Sequence, residues 1–323
     1  MNYNFGHDEW HNSTRALKEH LWSRNGPVCW RSPLSFGPMP SPRQDHYGRP
    51  IPAQDSRFMT YSIRFRSSAT YLRTLFPTPE FSFASPGTVA EASFRCTELR
   101  EMGWLGGGGY KYLGLWIHGV QYTRKDESKV HGSLLVVLLE SLADPIITGR
   151  EELGMPKLFC DIDITKAAEK RDSARVECSW RGQTFLRLSM DGLAEENTHN
   201  GQLQTNGNGT EAPSHGPPGP PKPKEEGTIF YRYVPAVGKP GEADAAYAVL
   251  IRDGNGSSTP RLVEKTHRSE ESKLEFMEGD SKSLPTLHHV AAGFAEIPVY
   301  GVIETKMEDG VGVDDLRNAD RIE

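Results

Sequence analysis

Apolar and polar positions follow strand-like spacing over most of the chain. FMTYSIRF, from Phe58, has the length and the β-branched and aromatic content of a strand, and EASFRCTEL, YLGLWIHGVQY and HGSLLVVLLE repeat that reading. SSATYLRTLFP interrupts them with a Ser cap, Tyr71, Leu72 and Leu75 at helical spacing, and a closing Pro77. Near Asp144 the period turns helical again. Asp144 is the expected cap, Pro145 the first helical residue and Gly154 the stop, for a helix of about ten residues. KLFCDIDI then alternates as a single strand, with Leu158, Cys160, Ile162 and Ile164 on one face and Phe159, Asp161 and Asp163 on the other. ARVECSW and TFLRLSM are expected to form a hairpin around Arg181-Gly182. TIFYRYVPAV, AAYAVLIRD and PRLVEKTH resume the strands, and a short helix around SLPTLHHVAAG and a strand EIPVYGVIETKM close the pattern. Many strands, short connections and few helices predict an α+β fold built mainly on antiparallel, β-barrel-like sheet.

Two segments stand apart. Residues 1–55 are rich in Pro, Gly, Ser, His and Trp and read as an irregular arm, with one short helix over 13–24. Residues 194–226 hold almost no apolar side chains and many Gly, Pro, Asn and Glu, so they cannot bury enough surface to offset chain entropy, and disorder is expected there. The remainder, 56–310, reads as one domain interrupted by that insertion, followed by a polar tail over 311–323.

The chain has 323 residues, of which 36% are hydrophobic, enough for a sizeable core with part of the chain outside it. A net charge of −6 leaves no electrostatic footprint for nucleic acid, so an acidic ligand would need local rather than global attraction. The first residues lack the apolar stretch of a secretory signal and no run is long enough to span a bilayer, so a cytoplasmic protein without membrane attachment is expected. The sequons at Asn12, Asn208 and Asn255 are then expected to stay unglycosylated. Cys29, Cys96, Cys160 and Cys178 show no CxxC spacing, which suggests neither a disulfide framework nor a zinc site.

Several motifs invite chemistry and lose it on inspection. HDEWH sets His7 and His11 one helical turn apart, but its Glu is out of place for HExxH, and no metal is expected. The glycine-rich GWLGGGGYKYLG lacks the Gly-Lys-Ser/Thr ending of a phosphate loop, and a hairpin or a loop beside a ligand fits it better. No GxSxG elbow occurs, and His288-His289 point two ways on any element, so at most one can face a site. Lys157 is different. It follows a helix stop and stands among Met155, Leu158 and Phe159. A bland reading pairs it with the carbonyl end of the helix dipole. The sharper reading desolvates it toward the neutral amine, able to attack a ketone and form a Schiff base.

DPIITGREELGMPKLFCDIDI resembles the active-site segment of the acetoacetate decarboxylase family, in which Gly-Arg-Glu precedes Pro-Lys and a strand. Gly149, Arg150, Glu151, Pro156 and Lys157 match in type and spacing, and looser similarity runs from about residue 57 to 307. The resemblance implies that Lys157 forms the imine, that Arg57 lies within one residue of a substrate-carboxylate arginine, and that Glu98 lies near a family glutamate. It also exposes departures. Leu158 replaces a second lysine that would lower the first by charge repulsion, and Tyr112, two residues after Tyr110, replaces a glutamate. Leu158 and Tyr112 are therefore counted with Arg57 and Glu98 as substrate-binding candidates, with Gly106–Gly109 and Trp116 shaping the pocket. The resemblance implies a homo-oligomeric lyase without cofactor, decarboxylating a small β-keto or related oxo-acid, and the polar arm and Pro/Gly insertion extend that expectation to specialised metabolism. Aldolase or dehydratase chemistry on the same imine, or a non-catalytic ligand-binding protein, are the alternatives.

Overall fold

Alternate residues of the first long strand, Arg57–Ser68, set the architecture: Tyr61, Ile63 and Phe65 are fully buried on one face, and Thr60, Ser62 and Arg64 lie on the other. In this computed structural model, which describes residues 28–51, 56–166, 172–196, 224–253, 261–313 and 319–323, that strand is β1. It is followed by β2 (Phe81–Phe83), β3 (Val89–Arg100), β4 (Tyr110–Thr123), β5 (Lys129–Glu140), β6 (Lys157–Phe159), β7 (Asp161–Lys166), β8 (Ala174–Trp180) and β9 (Gln183–Asp191). The later strands are β10 (Ala194–Glu195), β11 (Gly227–Pro235), β12 (Ala243–Arg252), β13 (Leu262–Arg268), β14 (Glu271–Phe276), β15 (Gly301–Val311) and β16 (Ala319–Ile322).

A 12-stranded sheet runs in the order β10-β13-β15-β1-β3-β4-β5-β11-β12-β16, with β2 on β4 and β6 on β5, and a 4-stranded sheet runs β14-β9-β8-β7. Pairing is antiparallel except where β5 meets β11 and β6. Helices are few and short, so the expected α+β, mainly antiparallel class is what the chain adopts. The main core lies where Phe94, Cys96, Leu113, Leu115 and Ile117 of the large sheet meet Ile162, Val176, Cys178, Leu186 and Leu188 of the small one. The helix His288–Ala295 closes it, setting Phe294 edge-on to Phe94 at 5.2 Å. Each such buried side chain contributes about 1.5–3 kcal/mol through lost apolar contact with water. The opposite face of the large sheet has its own apolar cluster, Trp116, Leu135, Leu138, Leu153, Met155, Phe230, Val249 and Ile251. No helix among the described residues is long and apolar enough to cross a membrane.

Local signals held where they were chemically specific. Ser68 Oγ accepts from Tyr71 N, capping the helix Ala69–Arg73. Arg181 (φ 48) and Gly182 (φ 84) both take positive φ, the mirror-type turn that matches the twist of a two-residue hairpin. Other expectations are corrected. KLFCDIDI is not one strand. It breaks at Cys160, whose N–H donates to Glu140 O at 3.1 Å, so β6 stays in the large sheet while β7 crosses to the small one. The helix ahead of it starts at Leu142 without a side-chain cap, has Asp144 in its first turn, and passes from α-helix (Ala143–Thr148) to a π turn (Gly149–Leu153) before Gly154 stops it in the left-handed region.

The helix expected over 13–24, the pair His7 and His11, and most of the 194–226 insertion lie outside the described residues. The insertion's two ends do not: Ala194–Glu195 pairs with β13, and Glu225 and Glu226 bond to β4 and β5. The polar tail likewise supplies β16 to the sheet edge. In the arm, Gln44 donates to the carbonyls of Cys29 and Met39, and Arg31 and Arg43 both reach Glu152 on the π turn. Those side chains are 7%, 10% and 3% exposed, so the arm is fastened by a buried two-to-one ion cluster.

Removing the shared anion would leave two desolvated guanidinium groups without its compensating charge, a loss of about 3 kcal/mol or more. Glu152→Ala is therefore expected to lower the urea midpoint and to speed proteolytic cleavage within residues 28–51, whereas Glu151→Ala, at an exposed position of the same turn, leaves both unchanged.

Candidate active site

Lys157 reaches its position through the parallel pairing of β6 with β5, which sets Leu138 opposite Lys157, Leu139 opposite Leu158 and Glu140 opposite Phe159. Residues in register share a face. Lys157 therefore joins Leu138, while Leu158 follows Leu139 and packs against the main core, away from the amine. The preceding turn is built to hold this strand. Met155 N donates to Gly149 O at 3.0 Å, Leu138 N to Pro156 O at 2.9 Å, and Arg150 Nη1 to Lys157 O at 2.9 Å. Gly149 leaves the slot the side chain occupies: a Cβ there would stand 2.3 Å from Lys157 Cε and 2.5 Å from Nζ.

The amine ends 2.7 Å from Glu140 Oε1 and donates to Pro145 O at 2.9 Å. The side chains of Lys157 and Glu140 are 7% and 1% exposed. The bland reading of a helix-end lysine fails on that burial, and also because the carbonyl it meets belongs to the first turn of the helix, not the last. Burial drives the Lys157 amine below the usual lysine range; the Glu140 charge opposes this and the Arg43 guanidinium adds a smaller push the same way. Burial also raises the Glu140 carboxyl, against the pull of Lys157. Burial thus works against the charged form of each partner, and their mutual attraction at 2.7 Å works for it. Glu140 Oε2 is buried and has no hydrogen-bond partner among the described residues.

Two phenols flank the pair. Tyr112 lies opposite Glu140 across the β4–β5 ladder, and Tyr110 stands beside it with ring centroids 6.4 Å apart. Burial, then the neighbouring Glu140, raises the Tyr110 hydroxyl well above its ordinary value, so it remains a donor. Met155, Leu138 and Trp116 form the apolar wall.

Of the sequence candidates, the structure brings Lys157, Tyr112 and Trp116 to one face of the large sheet. Arg57 sits at the start of β1, half-exposed and 2.9 Å from Glu264, in register with Arg100 and Val311. Glu98 is half-buried on β3 and lines a surface groove with Leu99, Arg100, Gly109, Tyr110, Lys111 and Ser141. The Gly106–Gly109 stretch is the β3–β4 hairpin loop, and only its Gly109 reaches that groove. His289 is exposed and His288 partly so, on the helix that covers the main core. Sequence reasoning missed Glu140 and the Arg43–Glu152 pair. Glu140 did leave a signal, as the single charge closing the apolar run 134–139.

A family model described as acetoacetate decarboxylase matches residues 36–309. Among solved structures, the chain resembles an acetoacetate decarboxylase-like enzyme from Sphingomonas wittichii RW1 at 13% identity, covering 92% of this chain and 100% of that one with a TM-score of 0.52. It also resembles an acetoacetate decarboxylase (14% identity, 86% and 94% covered, TM-score 0.52) and the enduracididine biosynthesis enzyme MppR complexed with pyruvate (13%, 92% and 97%, TM-score 0.53). At these identities the likeness is one of fold. No curated protein matches the chain.

Gly149→Ala is expected to fold normally, since the clash falls on the tip of a flexible side chain, yet to displace the amine and slow covalent trapping at Lys157 tenfold or more. Glu140→Gln removes the charge that favours the ammonium form. The midpoint of the pH–acylation profile at Lys157, already below the free-lysine value, is expected to fall further, as read by peptide mapping after pulsed acylation.

Proposed function

The chain belongs to the acetoacetate decarboxylase family, and on that premise we propose that it is a lyase that forms an imine between Lys157 and the carbonyl of an oxo-acid and decarboxylates it. The observation that carries this reading is the buried Lys157–Glu140 pair, with Glu140 Oε2 lacking a hydrogen-bond partner among the described residues. The Nζ lone pair attacks the carbonyl carbon while the carbonyl oxygen takes the proton of the Glu140 carboxyl, giving a carbinolamine. An Nζ proton returns to Glu140, which delivers it to the new hydroxyl. Water leaves, and the C=N+ bond remains. In a β-keto acid the bond to the carboxylate then breaks, its electron pair flows into the iminium, and carbon dioxide departs from an enamine. Protonation of the enamine carbon and hydrolysis restore the ketone and free Lys157. The lysine is itself the electron sink, so the scheme needs no cofactor.

Loss of the second lysine at Leu158 is compatible with this scheme, because desolvation, with a smaller push from Arg43, lowers Lys157 without a lysine next to it in sequence. A second reading is supported by the pyruvate bound in MppR: an enamine formed from such an acid attacks an aldehyde instead of releasing carbon dioxide. Specialised metabolism suits either reaction, and a homo-oligomer acting on a small-molecule oxo-acid is the proposed working form.

Borohydride reduction in the presence of β-keto acids and pyruvate, followed by intact mass and peptide mapping, is expected to place a secondary-amine adduct on Lys157, absent from Lys157→Ala. Carbon dioxide without an aldehyde requirement assigns decarboxylation, and aldehyde-dependent product assigns aldol chemistry. A broad panel that leaves Lys157 unmodified would point to a non-catalytic binding protein.

A further inference from the structure

The face that carries Lys157 also carries a row of residues in register across the large sheet: Ser62 on β1, Arg95 on β3, Gly114 on β4, Leu138 on β5 and Lys157 on β6. Arg95 is three strands from Lys157, which at about 4.8 Å per strand separates their Cα atoms by about 14 Å. Trp116 lies between them. A Cβ on Gly114 would meet its ring at 2.6 Å and Leu138 Cδ1 at 2.9 Å, so the indole lies across the missing side chain and against Leu138. The Arg95 guanidinium sits over that ring, 5.1 Å from its centroid.

Arg95 is held by a chain of hydrogen bonds with one direction. Its Nε donates to Ser93 Oγ at 3.2 Å, and Ser93 Oγ meets His118 Nε2 at 2.9 Å. His118 Nδ1 meets Ser133 Oγ at 2.9 Å, and Ser133 Oγ donates to Glu225 Oε2 at 2.6 Å. Because Ser133 gives its proton to the carboxylate, it accepts from His118 Nδ1–H. Nε2 then accepts from Ser93, whose oxygen is free to take the Arg95 proton. Burial lowers His118, in keeping with a neutral ring. Burial works upward on Glu225, while the hydrogen bonds donated by Ser133 and the Gly119 N–H work downward and favour its ionised form. Four side chains are thus ordered behind one edge of Arg95. Among the described residues no carboxylate pairs with its outer edge; Arg64, nearby on the same face, is instead paired with Glu91 at 2.5 Å.

We infer that Arg95, oriented by the Ser93–His118–Ser133–Glu225 chain and backed by Trp116, binds a carboxylate of the substrate remote from the carbonyl that meets Lys157. A guanidinium with its Nε committed and its terminal nitrogens without a hydrogen-bond partner among the described residues presents a two-pronged fork to a carboxylate. The carboxylate lost as carbon dioxide in a β-keto acid stays one carbon from the carbonyl and cannot reach across the row, so the group on Arg95 is a second one. The substrate class is therefore an oxo-diacid, or an oxo-acid with an acidic tail, whose apolar middle lies over Trp116 and Leu138. This rests on the imine reading of Lys157.

The test uses 3-oxo-diacids of six to ten carbons and acetoacetate as trapping substrates, and suberate, which has no ketone, as a binding probe. Wild type is expected to be half-trapped at a tenfold or more lower concentration of the best-fitting diacid than of acetoacetate. Arg95→Gln is expected to abolish that preference, and Arg95→Lys, which keeps the charge and loses the fork, to leave it several-fold weakened. Suberate is expected to raise the Tm of wild type and not of Arg95→Gln. Equal losses for diacid and acetoacetate, or suberate stabilisation that survives Arg95→Gln, overturn the proposal. Arg95-dependent stabilisation by suberate with no adduct from any carbonyl instead removes the imine reading and leaves the anion site standing. If Arg95→Gln does not fold, Arg95→Lys and Ser93→Ala carry the comparison, and an unchanged diacid preference in both overturns the proposal.

Discussion

A primary amine kept out of water beside a carboxyl group is the constraint to which the rest of this structure answers. Taking either charge out of water costs several kcal/mol, and a buried pair recovers that only with close geometry. Here the cost falls on the charged forms, so burial pushes Lys157 down and Glu140 up, against the attraction between them. Each nearby feature protects that arrangement. Gly149 makes room for the aliphatic stem, Pro145 O takes an amine proton, and Met155 and Leu138 keep the surroundings apolar.

Strand register turns that local constraint into a site. A β6 of three residues, parallel to β5, is enough to send Lys157 to one face and Leu158 to the other. This is why the position that carries a second lysine in the family pattern faces the core here, and why an apolar residue suits it. The arm contributes through the Arg31–Glu152–Arg43 cluster, which braces the π turn directly ahead of β6 and brings Arg43 near enough to weigh on the amine.

Attraction of an anion to this face rests on individual side chains and not on the net charge of the molecule. The chain is acidic at −6, yet Arg95 stands on the inner row without a carboxylate partner among the described residues. An anionic ligand would be drawn by this local field and not by the whole protein. The chain of hydrogen bonds behind Arg95 ends on Glu225, at the close of the sequence insertion, so part of that segment serves the sheet face and not solvent.

The legible parts were those encoded within a few residues: strands from period-two alternation, the Ser68 cap, the Arg181-Gly182 turn, the Gly154 stop, and the burial of Lys157 from its apolar setting. Each depends on backbone geometry or on neighbours close in sequence, which a one-dimensional pattern records. The break at Cys160, the partnership of Glu140 with Lys157, the placement of Arg57 on Glu264, and the row from Arg95 to Lys157 were settled only by tertiary structure. They depend on which strands lie side by side and in what register, and a one-residue shift would send every one of those side chains to the other face.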